Sequence, residues 1–107
     1  MKKYTWRTHK TIKETQDSIT LQFETDQQQF SYLPGQYLNI RYTINGEIVI
    51  RSYSFSSKPS DPNPAITVKR VTGGKMSNYI FENADQIETW EIEAQTIHEQ
   101  TKIEFNR

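Results

Sequence analysis

Cysteine is absent from the 107 residues. That excludes disulfides, thiolate nucleophiles, zinc–thiolate sites and cysteine-held iron–sulfur clusters within this sequence. Histidine is nearly absent. His9 and His98 stand alone, too few for a His-rich metal site, so no metal is expected and both read as surface residues. There is no excess charge of either sign, since 13 Lys and Arg balance 13 Asp and Glu. A nucleic-acid binder carries a basic patch or a high pI, and neither shows here. No apolar run approaches the ~18 residues of a membrane helix, and the mean hydropathy is −0.83. The basic start MKKYTWRTHK is followed by no apolar stretch, so it is not read as a secretory signal. The expected setting is the cytoplasm, with no membrane and no nucleic-acid partner.

What is present leans to β-structure. Ile and Thr occur twelve times each, Val three times and aromatics thirteen times, whereas alanine is confined to Ala65, Ala84 and Ala94. Alternation marks strands over Tyr4–Ile12, Ser18–Thr25, Tyr37–Ile44, Glu47–Phe55, Ala65–Val71 and Glu88–Ala94, with a short last one over Lys102–Phe105. Ile19, Leu21 and Phe23 share one face, as do Leu38, Ile40 and Tyr42. Asn45-Gly46 between two alternating runs is a hairpin signal, because a type I′ turn needs positive φ at both central residues. Pro59, Pro62 and Pro64 make Ser56–Pro64 a loop. Gly73-Gly74 breaks the chain, and Ser77–Ala84 reads as one short helix with Ser77 as its N-cap. The length fits one domain spanning residues 1–107.

Three runs carry candidate chemistry. In Arg51-Ser52-Tyr53-Ser54-Phe55-Ser56-Ser57, period two puts Arg51, Tyr53 and Phe55 on one face and the serines on the other. The guanidinium suits a phosphate, and the phenol offers a ring to stack on. The plainer reading is a solvated edge strand before a serine-rich loop. Gly73-Gly74-Lys75-Met76-Ser77 enters a helix, where first-turn N–H groups and the dipole favour an anion. On its own this run is better read as a flexible turn with an N-cap serine, and it has neither Walker nor Rossmann spacing. Lys69 and Arg70 sit in a strand that could give backbone groups to a planar ligand, or simply carry solvated charges.

Arg51-Ser52-Tyr53-Ser54 with Ser57, followed by Gly74-Lys75-Met76-Ser77, resembles the paired signature of the ferredoxin–NADP reductase family: R-x-Y-S-x-x-S on a strand, then G-x-x-S at a helix start. Leu33-Pro34-Gly35-Gln36-Tyr37-Leu38 and Ile66-Thr67-Val68-Lys69-Arg70-Val71 are similar to two further family segments, so the likeness runs from about Trp6 to Ile80. The resemblance implies an all-β fold, a six-stranded antiparallel Greek-key barrel with one short helix, binding FAD. Arg51 would contact the pyrophosphate. Tyr53 would stack on the flavin or pin its ribityl chain, and Ser54 would approach flavin N5, the two residues nearest the redox chemistry. The backbone of Lys69, Arg70 and Val71 would meet the pyrimidine edge. Gly74, Lys75, Met76 and Ser77 would hold the pyrophosphate.

The segment Asn83–Phe105 departs from the family pattern, having neither glycine nor proline. The family's NAD(P)H-binding α/β domain is not recognisable in residues 1–107. The leading expectation is therefore an electron-transfer flavoprotein domain of a flavin-dependent oxidoreductase that relies on a partner for NAD(P)H. That partner is an NAD(P)H-binding subunit or an electron-transfer protein, and a homodimer formed through Trp90–Phe105 is an alternative way to cover the flavin. The competing expectation is a barrel that has lost strong FAD binding and serves as an interaction module. An oligonucleotide- or sugar-binding barrel is disfavoured by the neutral charge.

Overall fold

The computed structural model describes residues 1–25 and 30–95. Its strands are β1 (Lys2–Lys13), β2 (Ser18–Glu24), β3 (Tyr37–Ile44), β4 (Glu47–Ser54), β5 (Ala65–Lys69) and β6 (Thr89–Ala94). One α-helix, α1 (Lys75–Asn83), and a 3-10 turn at Ala84–Gln86 lie between β5 and β6. The six strands form one sheet in the order β4-β3-β6-β1-β2-β5, antiparallel throughout. Chain neighbours β1–β2 and β3–β4 pair directly, and β6 returns to fill the place between β3 and β1, the Greek-key crossing expected of the resemblance.

The sheet curls into a half-barrel. Its two edge strands meet at one end, where Phe55 bridges Ile66 and the Ser56 N–H donates to the Ala65 carbonyl at 2.8 Å. Beyond that seam β4 and β5 have no ladder between them. The expected strand Glu47–Phe55 therefore ends at Ser54, with Phe55 spent on the bridge.

Period two fills the inside. Ile19, Leu21 and Phe23 of β2, Leu38 and Ile40 of β3, Ile66 and Val68 of β5 and Trp90, Ile92 and Ala94 of β6 are buried. Trp6 of β1 stands opposite Trp90 of β6, both buried. The helix closes the open end of the half-barrel with Met76, Ile80 and Phe81 turned inward. The large aromatics thus supply much of the core that a sequence of 34% hydrophobic residues must assemble. Among the described residues no helix is long and apolar enough to cross a membrane.

The Asn45-Gly46 turn is as expected: φ is 51° at Asn45 and 79° at Gly46, and Ile44 faces Glu47 across it. Elsewhere the boundaries shift for identifiable reasons. The first strand runs longer than Tyr4–Ile12, reaching Lys2 through β6 and Lys13 through β2, with a register shift between Thr8 and Lys10. The last described strand starts at Thr89 instead of Glu88: its register with β1 ends at Arg7 and Thr89, with one further bond from the Thr8 N–H to the Glu88 carbonyl. The strand at Ala65 stops at Lys69, two residues short of Val71. Its partner β2 begins at Ser18, so the Arg70 N–H closes on the Asp17 carbonyl at 2.8 Å and the chain turns away.

The helix starts at Lys75, with Gly74 and not Ser77 in the N-cap position. Gly73, at φ 78°, reverses the chain, and the Gly74 N–H closes the turn on the Val71 carbonyl at 3.0 Å. Ser77 is then inside the first turn, buried, its hydroxyl accepting from the Val71 N–H at 3.3 Å. The expected strand Lys102–Phe105, His98 and the proposed contact segment beyond Gln95 lie outside the described residues.

Candidate functional site

In an antiparallel pair, alternate residues direct their backbone groups toward the partner strand and the rest direct them away. The Arg70 N–H on Asp17 and the Phe23 N–H on the Pro64 carbonyl set this phase for β5. Ile66 and Val68 therefore face β2, while Thr67 and Lys69 present N–H and C=O at the open edge. On β4 the Asn45-Gly46 hairpin and the Phe55 N–H on the Gln36 carbonyl set the phase, so Ile50, Ser52 and Ser54 present theirs at the opposite edge. Two sheet edges that join at Phe55–Ile66 and then part leave a gap lined by backbone donors and acceptors with no ladder partner among the described residues.

Side chains finish the gap. Val49, Arg51, Tyr53 and Phe55 share the inward face of β4, yet their burial is uneven. Val49 is buried among the core residues and Phe55 stacks on Tyr32, ring centroids 4.1 Å apart. Between them Arg51 is exposed and Tyr53 only half-buried, an inward-facing stretch that the protein itself leaves uncovered. Arg51 forms no ion pair among the described residues; its guanidinium donates to the Ile50 carbonyl at 2.8 Å, along the open edge. Partial burial pushes the Tyr53 phenol above its ordinary pKa, with Arg51 pulling the other way, so the hydroxyl is protonated at neutral pH. Ser54 is exposed at the end of β4, where its register partner is Tyr37.

The start of α1 reaches β4 at Glu47. No side chain caps this helix, so its first-turn N–H groups, from Lys75, Met76 and Ser77, have no intrahelical acceptors. Lys75 is exposed and reaches across to Glu47 at the start of β4. Met76 is buried and can offer only its backbone. A Cβ on Gly74 would lie 2.5 Å from Ser77 Oγ and 2.9 Å from Val71 Cγ2, so the turn packs as tightly as glycine permits. Gly74→Ala should cost about 1–2 kcal/mol of stability by overpacking this turn, a loss that a thermal melt would register.

The structure thus sets Arg51, Tyr53 and Ser54 on a β4 edge that parts from β5 beyond Phe55–Ile66, and brings the start of α1 to the same strand at Glu47. Arg70 stands apart from the others. Its N–H is committed to Asp17, its Nε pairs with the Asp17 carboxylate at 3.1 Å, and its guanidinium lies over the Phe81 ring at 4.2 Å. Val71 is likewise committed, N–H to Ser77 and carbonyl to Gly74 and Asn78. Thr67 takes a place that the sequence did not single out. The signal for it is ladder phase, which appears only once β2 and β5 are paired.

These parts match what FAD requires. A diphosphate needs cations and N–H donors, available at Arg51, Lys75 and the uncapped helix turn. A flat heterocycle needs an aromatic face and edge hydrogen bonds, available at Tyr53 and at the parted sheet edges.

A family model described as the oxidoreductase FAD-binding domain matches residues 5–99. The chain is 46% identical over 76 residues to the glycine betaine monooxygenase reductase subunit of Pseudomonas aeruginosa, a match covering 69% of this chain and 21% of that protein. It is 34% identical over 86 residues to the ferredoxin reductase component of 3-ketosteroid-9-alpha-monooxygenase from Rhodococcus rhodochrous, covering 76% of this chain and 24% of that one. The chain therefore spans between a fifth and a quarter of the length of these relatives. Among solved structures, the flavohem-like FAD/NAD-binding domain of nitric oxide dioxygenase from Vibrio cholerae superposes with a TM-score of 0.75 at 25% identity, covering 85% of this chain and 42% of that one. A barrel without FAD binding is not favoured by these matches. Half-barrel, edge gap and sequence agree, and the chain belongs to the oxidoreductase FAD-binding domain family.

Proposed function

We propose that residues 1–107 hold the flavin of a reductase component, carrying electrons from NAD(P)H bound elsewhere to a separate redox protein. The observation that carries this reading is the exposed Arg51 and half-buried Tyr53 on the inward face of β4, a strand that the uncapped start of α1 reaches at Glu47. Arg51 binds the diphosphate through its forked donors, and the N–H groups of Lys75, Met76 and Ser77 complete that contact. Tyr53 supports one face of the ring. Ser54, exposed at the end of β4, would approach the reacting nitrogen of the ring, and its hydroxyl would help to orient it. Thr67 and Lys69, whose backbone groups point into the gap, take the pyrimidine edge in place of Arg70.

FAD supplies the hydride and single-electron chemistry, and the protein positions it and limits water at one face. The other ring face is left for a neighbour: an NAD(P)H-binding segment or subunit, or a redox partner. The named relatives, reductase components of two monooxygenases, support a redox protein as the acceptor. Reduction of FAD by NADH or NADPH should be negligible for residues 1–107 alone and restored by adding the nucleotide-binding part. Rapid stoichiometric bleaching of the flavin in a verified monomer would overturn this division of labour.

Tyr53 carries its own test. Tyr53→Ala should raise the fluorescence of bound flavin, because a stacked phenol quenches it, and should weaken binding. If both are unchanged, Tyr53 packs on the barrel and does not face the cofactor.

A further inference from the structure

Glu47 is the first residue of β4, placed there by the Asn45-Gly46 turn, and it lies on the same strand face as Val49, Arg51 and Tyr53. Its carboxylate meets Lys75 Nζ at 2.5 Å. The two side chains bridge an open cleft of about 470 Å³ that has Asn45 and Glu47 on one side and Gly73, Gly74 and Lys75 on the other. The Lys75 hydrogen bond, and then its charge, hold the Glu47 carboxyl below the ordinary range, and the Arg51 guanidinium adds a further pull. Glu47 is therefore ionised at neutral pH and lies within the field of both cations assigned to the diphosphate.

The fold has little need of this pair. Both side chains are more than half exposed, at 57% and 60%, and exposed pairs contribute little to stability. The hairpin register is already set by the turn, and α1 is held by its buried face. The pair's consequence falls on ligand binding. Arg51 and Lys75 bring two positive charges and Glu47 removes one, where a diphosphate would bring two negative charges.

We propose that Glu47 is a built-in counter-anion of the diphosphate site, which FAD must displace from Lys75, so that it weakens the hold on the cofactor. The proposal rests on the reading of Arg51 and Lys75 as diphosphate ligands. FAD titrations of the full chain test it, with Arg51→Ala measured alongside. Glu47→Gln should bind FAD about 5- to 10-fold more tightly, the size left when ~0.1 M salt screens the repulsion between one negative charge and a dianion about 5 Å away in water. Its affinity should also fall more steeply with added salt, since one more cation is unmasked. With Lys75→Gln already in place, Glu47→Gln should gain less, because part of what Glu47 masks is gone. If Arg51→Ala weakens FAD binding while Glu47→Gln leaves it unchanged or weaker, the carboxylate does not oppose the diphosphate and the proposal fails alone. If Arg51→Ala has no effect, the diphosphate lies elsewhere and both readings fail.

Discussion

Arg51→Ala should weaken FAD binding by roughly 10- to 100-fold, because a hydrogen bond to a charged group contributes on the order of 1.5–3 kcal/mol. The fold should not notice. Arg51 is exposed, forms no ion pair among the described residues, and its hydrogen bond is to the neighbouring Ile50 carbonyl at an open sheet edge. An unchanged melting temperature without flavin, set against a large loss of affinity, would identify a ligand-facing residue. Arg51→Lys should recover only part of the loss, since an ammonium keeps the charge but lacks the paired donors of the fork. Equal affinities for parent and alanine variant, by equilibrium titration, would move the diphosphate away from β4.

The largest stability effects should come from the two tryptophans that face each other across β1 and β6. Trp6→Ala is expected to cost about 3–5 kcal/mol, a large share of the 5–15 kcal/mol typical of a domain. Trp6 is fully buried, with Phe23 at 5.6 Å and Phe30 at 4.8 Å between ring centroids, and nothing nearby can collapse into so large a space. Its Nε1 has no hydrogen-bond partner among the described residues, so the side chain works by packing alone. Trp6→Phe should therefore be much milder, since it also removes a buried donor that gains nothing. Trp90 should behave differently. Its Nε1 donates to Thr8 Oγ1 at 2.7 Å, and that hydroxyl in turn donates to the Ile87 carbonyl at 2.7 Å. Trp90→Phe breaks that relay, which ties the turn before β6 to β1, and should cost more than Trp6→Phe. Denaturant titrations of the two phenylalanine variants decide the point, and equal losses would mean that the relay contributes nothing.

Much of this architecture is legible in single residues. Ile19, Leu21 and Phe23 alternate because they line one face of a strand, and they are buried together. Asn45 and Gly46 form their turn because the local backbone demands positive φ, whatever surrounds it. The pairing of Arg51, Tyr53 and Ser54 with a later glycine-led helix is also a matter of order along the chain. The folded molecule brings the start of that helix to β4 at Glu47, four residues before Arg51.

Other features could not be read that way. Side-chain alternation tells which residues share a face, but not in which direction their backbone groups point. That phase depends on a partner strand far away in sequence, which is why Arg70 is drawn to Asp17 while Thr67 is left at the open edge. The helix start is local, in the turn where Gly74 packs against Val71 and Ser77 three residues to either side, but no N-cap side chain marks it in the sequence. The Glu47–Lys75 pair joins residues from a hairpin and a helix that meet only when the half-barrel closes. The elements, the turn and the candidate side chains follow from local periodicity and local backbone sterics and can be read along the chain. Which backbone groups stay unpaired and which charges face one another follows from contacts between distant segments and emerges only on folding.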